Sequence, residues 1–230
     1  MNKKTKEREN MNEIKGYLRD FRIDVPEAIY ECKGIKLFGR RIKSIVFSTD
    51  VSIIRNCNAD AVIAVYPFTP QPVITQAVML AADCPVFVGV GGGLTKGERV
   101  INLARHAEYQ GATGVVVNAP TSDETIREAV KIIDIPVVVT VVKDDDDIEA
   151  RLRAGAQILN VSAAARTPEL IRKIRRDFPN VPIMATGGPS EATIRETIAA
   201  GADAITWTPP SNGEVFRDIM EAYRKGNPHP

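Results

Sequence analysis

Two hydrophobic patterns alternate along the chain. Short, nearly continuous apolar runs fall at residues 43–48, 61–66, 86–90, 114–118, 137–142, 158–161, 183–186 and 204–207. Runs of that length without polar alternation match parallel strands buried on both faces. Residues 98–110, 122–133, 168–178 and 191–200 instead place polar residues among apolar ones at three-to-four spacing, which predicts helices with one buried face. Eight strand-like runs separated by helical segments predict class α/β and a single (β/α)8 TIM barrel. Their even spacing favours closure over an open doubly wound sheet.

From residue 59 onward the strands begin in two ways, and the alternation behaves as an internal repeat. One lead-in is small: Ala59-Asp60-Ala61, Gly111-Ala112-Thr113, Gly155-Ala156-Gln157 and Gly201-Ala202-Asp203. In the last three, Gly suits the left-handed position that ends the preceding helix. The other carries proline, in Cys84-Pro85-Val86, Ile135-Pro136-Val137 and Val181-Pro182-Ile183. Proline is tolerated there because the first strand residue has no ladder bond to donate. Residues 12–226 form the barrel domain, in which 12–42 are expected to be an N-terminal helical cap with a turn at Gly39-Arg40-Arg41. Residues 1–11 are expected to be a charged, disordered tail and residues 227–230 a short C-terminal one.

Composition narrows the partners. The 230 residues fit one barrel, and 44% apolar with only 6% aromatic residues predicts an aliphatic filling. A net charge of +1 gives no field for nucleic acid or an anionic membrane surface, and no apolar run approaches the ~18 to 20 residues that span a bilayer. Cys32, Cys57 and Cys84 are odd in number, lack metal-ligand spacing, and accompany no signal-like segment, so a cytoplasmic protein without disulfides is expected. Homo-oligomerisation is the prior for such barrels.

In a (β/α)8 barrel the chemistry belongs to the strand carboxyl ends. After the seventh run come Gly187 and Gly188, which let backbone approach an anion, and Ser190, which can cap the next helix, whose free N–H groups favour phosphate. Thr208 and Ser211 follow the eighth run. Gly91, Gly92 and Gly93 form a second glycine loop able to lie against a ligand. Asn118 and Asn160 end the fourth and sixth runs as ligand hydrogen-bonders. Asp50 is the best-placed carboxylate, though it also suits an N-cap. Lys143 ends the fifth run and would serve as a base or Schiff-base amine if buried, or pair with Asp144 or Asp145 if not. His106 falls mid-helix and His229 in the tail, so a histidine base or His-ligated metal is not expected. The run Asp144 to Asp147 cannot converge on one ion, and no metal site is expected.

The segments Ala185-Thr186-Gly187-Gly188-Pro189-Ser190 and Ala199-Ala200-Gly201-Ala202-Asp203-Ala204-Ile205 resemble the signature of the ribulose-phosphate-binding, aldolase-type barrel superfamily. That group includes sugar-phosphate epimerases, thiamin phosphate synthase, phosphogluconate aldolases and FMN-binding barrels. Residues 139–167 more weakly resemble the N-acetylmannosamine-6-phosphate epimerases, which use a lysine and a carboxylate beside a carbonyl. The resemblance implies a phosphorylated small molecule at the seventh and eighth loops. It is compatible with isomerase, epimerase or aldolase-type lyase chemistry by Lys143 and Asp50, with an FMN-binding oxidoreductase, or with non-catalytic phosphometabolite binding. The residues themselves require no cofactor; a hydrolase is left open as well, without a nucleophile and base pair to support it.

Overall fold

Eight parallel strands close into a barrel in the computed structural model, which describes residues 14, 16 and 19–229. A hairpin of β1 (Ile35–Leu37) and β2 (Arg40–Ile42) precedes it. The barrel strands are β3 (Ser44–Phe47), β4 (Ala61–Ala64), β5 (Val86–Gly91), β6 (Gly114–Val117), β7 (Val137–Val141), β8 (Ile158–Val161), β9 (Ile183–Thr186) and β10 (Ala204–Trp207). Each is followed by a helix: α1 (Val51–Arg55), α2 (Pro72–Ala81), α3 (Glu98–Tyr109), α4 (Asp123–Val130), α5 (Ile148–Ala154), α6 (Thr167–Asp177), α7 (Glu191–Ala199) and α8 (Asn212–Arg224).

The two kinds of lead-in have a shared physical cause. Asp60, just before β4, accepts the N–H groups of Lys43 and Ser44 at the start of β3, at 2.8 and 3.0 Å. Gln157, before β8, accepts the Val137 N–H that starts β7 at 2.9 Å, and Asp203, before β10, does the same for Ile183 of β9 at 2.9 Å. A polar residue directly before one strand thus satisfies the first donor of the preceding strand. The glycines of these lead-ins, Gly111, Gly155 and Gly201, take φ of +91°, +111° and +114° as the helix-ending position requires.

The N-terminal cap differs from expectation. Among its described residues there is one 3₁₀ turn, Glu27–Glu31, and the β1–β2 hairpin, where a helical cap was predicted. Ile23 bridges Cys57 and donates to the Asn56 carbonyl at the end of α1. Ala28 and Ile29 are fully buried in the outer core, and Glu31 pairs with Arg195 of α7 at 3.0 Å. Residues 23–32 therefore run from α1 to α7, in the gap where a barrel's last helix would pack. α8 buries none of its residues. The hairpin closes the bottom: Ile35 and Ile42 join the cluster that fills the barrel.

Strand register decides what meets inside. Ile63 pairs with Phe87 and Phe87 with Gly114; Val116 with Val138 and Val138 with Ile158; Asn160 with Met184 and Met184 with Ala204; Thr206 with Ile45 and Ile45 with Ala61. A step of two residues at each of these four double crossings closes the path on Ile63 after a rise of eight residues, the shear of such barrels. Ile63, Val116, Asn160 and Thr206 are therefore one layer, drawn from alternate strands. The same construction puts Ile45, Phe87, Val138 and Met184 beneath it, all buried and apolar. Above it come Phe47, Gly89, Thr140 and Thr186, and then Val65, Asn118, Ser162 and Thr208.

The barrel thus turns from dry to polar at the Asn160 layer, and it does so on one side. Apart from Asn118 at the end of β6, the hydroxyl and amide groups come from β7 to β10, while β3 to β5 contribute Phe47, Val65 and Gly89. Replacing Ile29 by Ala should cost about 2 to 5 kcal/mol in urea unfolding, because the 23–32 segment is part of the core. Phe216→Ser on α8 should change stability by less than about 0.5 kcal/mol.

Candidate active site

The carboxyl ends of the strands bound three adjoining grooves of about 240, 590 and 650 Å³. The first lies between Tyr66 and the Gly91–Gly93 loop; the second runs from Asp50 to Ser211; the third lies between Gly188 and α8. Val65, Tyr66, Pro67 and Asn118 line both the first and the second, and Thr208, Pro209 and Pro210 both the second and the third. Shared walls set the three side by side in a cleft region across the mouth.

The glycine loop is shaped by packing as much as by any ligand. A Cβ on Gly91 would stand 2.3 Å from Val100 of α3, and one on Gly92 2.3 Å from the Asn118 Cβ. Gly92 and Thr95 exchange backbone bonds of 3.1 and 3.3 Å, which turns the chain and leaves Leu94 at the tip. Tyr66 stands opposite. Its phenolic oxygen accepts the Gln71 N–H at 2.8 Å, so its own proton remains to be donated into the cleft.

Asp50 both caps a helix and faces the cleft. Its Oδ1 accepts from Ser52 N–H at 2.8 Å, Ser52 Oγ at 2.7 Å and Ile53 N–H at 3.2 Å. Those bonds, that of the Ser52 hydroxyl foremost, hold its carboxyl below the usual carboxylate range. All three converge on one oxygen, leaving Oδ2 the other face of the group.

Lys143 is elsewhere. Its ammonium is exposed and bonds Asp145 at 2.8 Å, and that partner raises its pKa above the ordinary lysine value. A base or Schiff-base amine requires the opposite shift, which only burial or a neighbouring cation supplies. The acidic run disperses: Asp145 goes to Lys143, Asp146 to the Val142 N–H, Asp147 caps α5 through Ala150, and Asp144 lies 3.7 Å from Arg166. Among the described residues no cluster of metal-ligating side chains forms. Burial pushes the Cys32 thiol up to about 12 and that of Cys84 to about 11, so both stay protonated. His106 is exposed on α3, and His229 stacks edge-on to Phe21 with ring centres 4.7 Å apart.

At the seventh and eighth loops the side chains are largely committed to their helices. The Ser190 hydroxyl receives the Thr193 N–H at 3.3 Å, closing the cap of α7. Ser211 donates its N–H and hydroxyl to Glu214, each at 2.7 Å, so a carboxylate already sits at the start of α8. Gly187 fits between Ile205 and Ile194, where a Cβ would come within 2.7 and 2.9 Å. Gly188, at φ +78°, turns the backbone toward the third groove. That groove is faced by Thr186, Gly188, Thr206, Thr208 and Arg217, with the carboxylates of Glu214 and Asp218 also in its lining. Arg217 lies 4.0 Å from both Glu214 and Asp218, too far for a strong pair.

Asn118 lies in the centre of the cleft, and Asn160 lies below it. Asn160 is only 9% exposed; its amide nitrogen donates to Thr140 at 3.3 Å and its Oδ1 has no partner. Thr206, 5% exposed, also has an unpartnered hydroxyl. Sequence reasoning missed Thr140, Ser162, Thr186, Thr206 and Arg217. The threonines had only their ordinary strand preference as a signal, and Arg217 only its place one turn into the last helix.

No family model matches the chain. A 4-hydroxy-tetrahydrodipicolinate synthase from Gluconacetobacter diazotrophicus is 26% identical over 164 residues, 64% of this chain and 54% of that protein. The chain therefore spans about half the length of the curated relative it matches. Among solved structures, a protein described as a phosphonomutase from Burkholderia cenocepacia superposes with a TM-score of 0.61 at 17% identity, over 80% of this chain and 92% of that one. A dihydrodipicolinate synthase from Bacillus anthracis gives 0.57 at 15% identity, over 80% and 76% of the two chains. A mandelate oxidase gives 0.63 at 16%, over 77% and 68%. Likeness at these identities establishes the fold alone, a (β/α)8 barrel.

Proposed function

We propose that this barrel is an enzyme that binds a small phosphorylated metabolite across its mouth and acts on a carbonyl, as an aldolase-type lyase or an isomerase. The continuity of the cleft carries this reading. Its three adjoining grooves bring Asp50, Asn118, the Gly91–Gly93 loop, Gly188 and Thr208 to one face of the barrel. Glu214 already fills the start of α8, so the phosphate belongs at the start of α7, on the backbone beyond Gly188, with Arg217 as its counter-charge. Asn118 orients the substrate. Asp50 stays ionised and acts as the proton acceptor through Oδ2, and Tyr66 is the proton donor. The fold shared with dipicolinate synthases and a phosphonomutase-type protein supports this class of reaction.

A second reading keeps the groove and changes the occupant. Trp207 is half-buried and lines the third groove beside Gly188 and Thr208, where an aromatic ring suits a flavin mononucleotide as well as a sugar phosphate. Bound flavin would supply redox chemistry; the chain's part would be to hold its phosphate and ring. Flavin absorbance retained after incubation with FMN and desalting would select this reading.

A thermal-shift screen with inorganic phosphate, sugar phosphates and FMN tests the grip. A ligand at about 100 times its Kd should add about 2.7 kcal/mol, roughly 5 to 11 °C for a chain of this size. Arg217→Ala should abolish the shift, and a flat screen with the intact chain would sink the phosphate reading.

Asp50 separates into two measurable roles. Asp50→Ala should cost about 0.5 to 2 kcal/mol through the lost cap, whereas Asp50→Asn, itself a good cap, should retain most of the stability and lose turnover of any substrate found. The carboxyl is depressed in the folded state. Its stabilisation is therefore present above the unfolded pKa of about 3.9 and fades as pH falls through the lower folded value. Urea unfolding of the Asn variant should lack this acid-side loss.

A further inference from the structure

The β1–β2 hairpin is held in a form that costs the free protein stability. Ile35 pairs with Ile42, Lys36 with Arg41 and Leu37 with Arg40. Ile35 and Ile42 are buried, so alternation turns the Lys36–Arg41 pair outward, and both of these residues are exposed. Directly opposed residues have Cβ atoms about 4.5 to 5.5 Å apart, and like charges there repel. No acid relieves them. Residues 32–49 contain Lys33, Lys36, Arg40, Arg41 and Lys43 and neither Asp nor Glu. Asp24, Glu31 and Asp83 pair with Arg22, Arg195 and Arg55. Among the described residues no carboxylate pairs with Lys33, Lys36, Arg40 or Arg41.

The turn carries a second cost. Phe38 and Gly39 connect the strands with φ of +45° and +81°. A two-residue turn with both angles positive favours Asn-Gly, because asparagine tolerates the left-handed region and a bulky side chain does not. Phe38 is nevertheless the first of the two, and it is 64% exposed at the tip. Within this chain its ring gains little burial to offset the backbone strain.

One kind of surface offsets both costs. A carboxylate between Lys36 and Arg41 turns repulsion into attraction. Arg41 is set for it: Nε donates to the Lys33 carbonyl at 2.7 Å, which fixes the guanidinium and leaves its two amino groups for a bidentate carboxylate. An exposed aromatic beside arginine is the composition of an interface anchor, and a partner that covers Phe38 gains its apolar area. A chain or sheet of phosphates fits less well. Asp83 and Asp134 directly precede the lead-ins of β5 and β7, at the same end of the barrel, and Glu31 precedes the hairpin; all three are exposed. A nucleic-acid backbone running past the hairpin, or a flat anionic membrane, would meet these carboxylates. A protein can place acid opposite the cations alone.

We propose that the β1–β2 hairpin is a docking surface for an acidic, partly apolar segment of another protein, with a carboxylate held by Lys36 and Arg41 and Phe38 as the apolar anchor. The surface lies at the opposite end of the barrel from the cleft and is independent of what the cleft binds.

Two measurements on the full chain test it. Thermal unfolding of the protein alone reads the costs. Lys36→Glu, which sets an acid opposite Arg41, and Phe38→Asn, which suits the turn, should each raise Tm by about 1 to 4 °C. Fluorescence anisotropy reads the docking. A labelled peptide of repeating Glu-Glu-Leu should bind at low salt and weaken as salt rises, while one of repeating Lys-Lys-Leu stays unbound. Lys36→Glu and Phe38→Asn should each weaken the acidic peptide about tenfold or more. A fall in Tm in both variants, no binding of the acidic peptide, or binding that both variants retain overturns the proposal. So does tighter binding of a single-stranded oligothymidylate, or of vesicles containing phosphatidylserine, than of the acidic peptide, since either puts a phosphate surface in the protein's place.

Discussion

The register of the eight strands is the constraint on which the interior depends. A barrel of this shear brings alternate strands to the axis at the same height, so a side chain's neighbours inside are set by counting across the sheet and not by its own sequence context. Asn160 stands among Ile158, Leu159 and Val161 on its own strand, yet its layer-mate is Thr206, two strands away. A slip of β8 by one residue against its neighbours would turn Asn160 outward into the helix layer and bring Val161 in. Exclusion of that alternative falls to the lower layers, where Phe87 occupies the space beside Gly114 that a Cβ would fill at 2.8 Å. A dry, tightly fitted lower half fixes the register that the polar upper half uses.

The same logic explains which parts were legible beforehand. The eight runs stood out because strands buried on both faces need apolar residues at every position, and the glycine and proline lead-ins stood out because helix ends and strand starts need particular backbones. The carboxyl-end loops could be named because the fold assigns function to them. Inside against outside was hidden: a run such as Val137-Val138-Val139-Thr140-Val141 carries no alternation to say that Thr140 faces the axis. Lys143 was hidden for a different reason. A flexible charged side chain at a strand end is written identically whether it turns into the mouth or toward Asp145, and an exposed ion pair offers the turn outward without desolvation. The hairpin escaped because three-residue strands bearing Lys36, Arg40 and Arg41 show too short a pattern to distinguish from a loop.

Electrostatics then divides the cleft by depth. The rim holds the charges, Asp50 on one side and Arg217 with Glu214 and Asp218 on the other. The interior holds none. A substrate bound this way keeps its phosphate where counter-charge and solvent stabilise it, and only neutral groups enter the low-dielectric region, where hydrogen bonds are strongest and unpaired ones most costly. Asp50 and Tyr66, the titratable groups that line the second groove, lie at that boundary.

That arrangement depends on where the last helix is. In a closed barrel the groove between α7 and α1 must be covered, and two segments of this chain are candidates. Residues 23–32 take it, burying Val25, Ala28, Ile29 and Cys32 against the outer core. α8 has no fully buried residue, only Val215, Ile219 and Ala222 half-buried, and is left beside the mouth, where Glu214, Arg217 and Asp218 line the third groove. Had α8 filled the gap, its first turn would be drawn down along β10 and the groove would lose its one arginine. The N-terminal segment therefore shapes the candidate site without touching it: by covering the core it frees a helix whose charged face becomes the wall of the cleft.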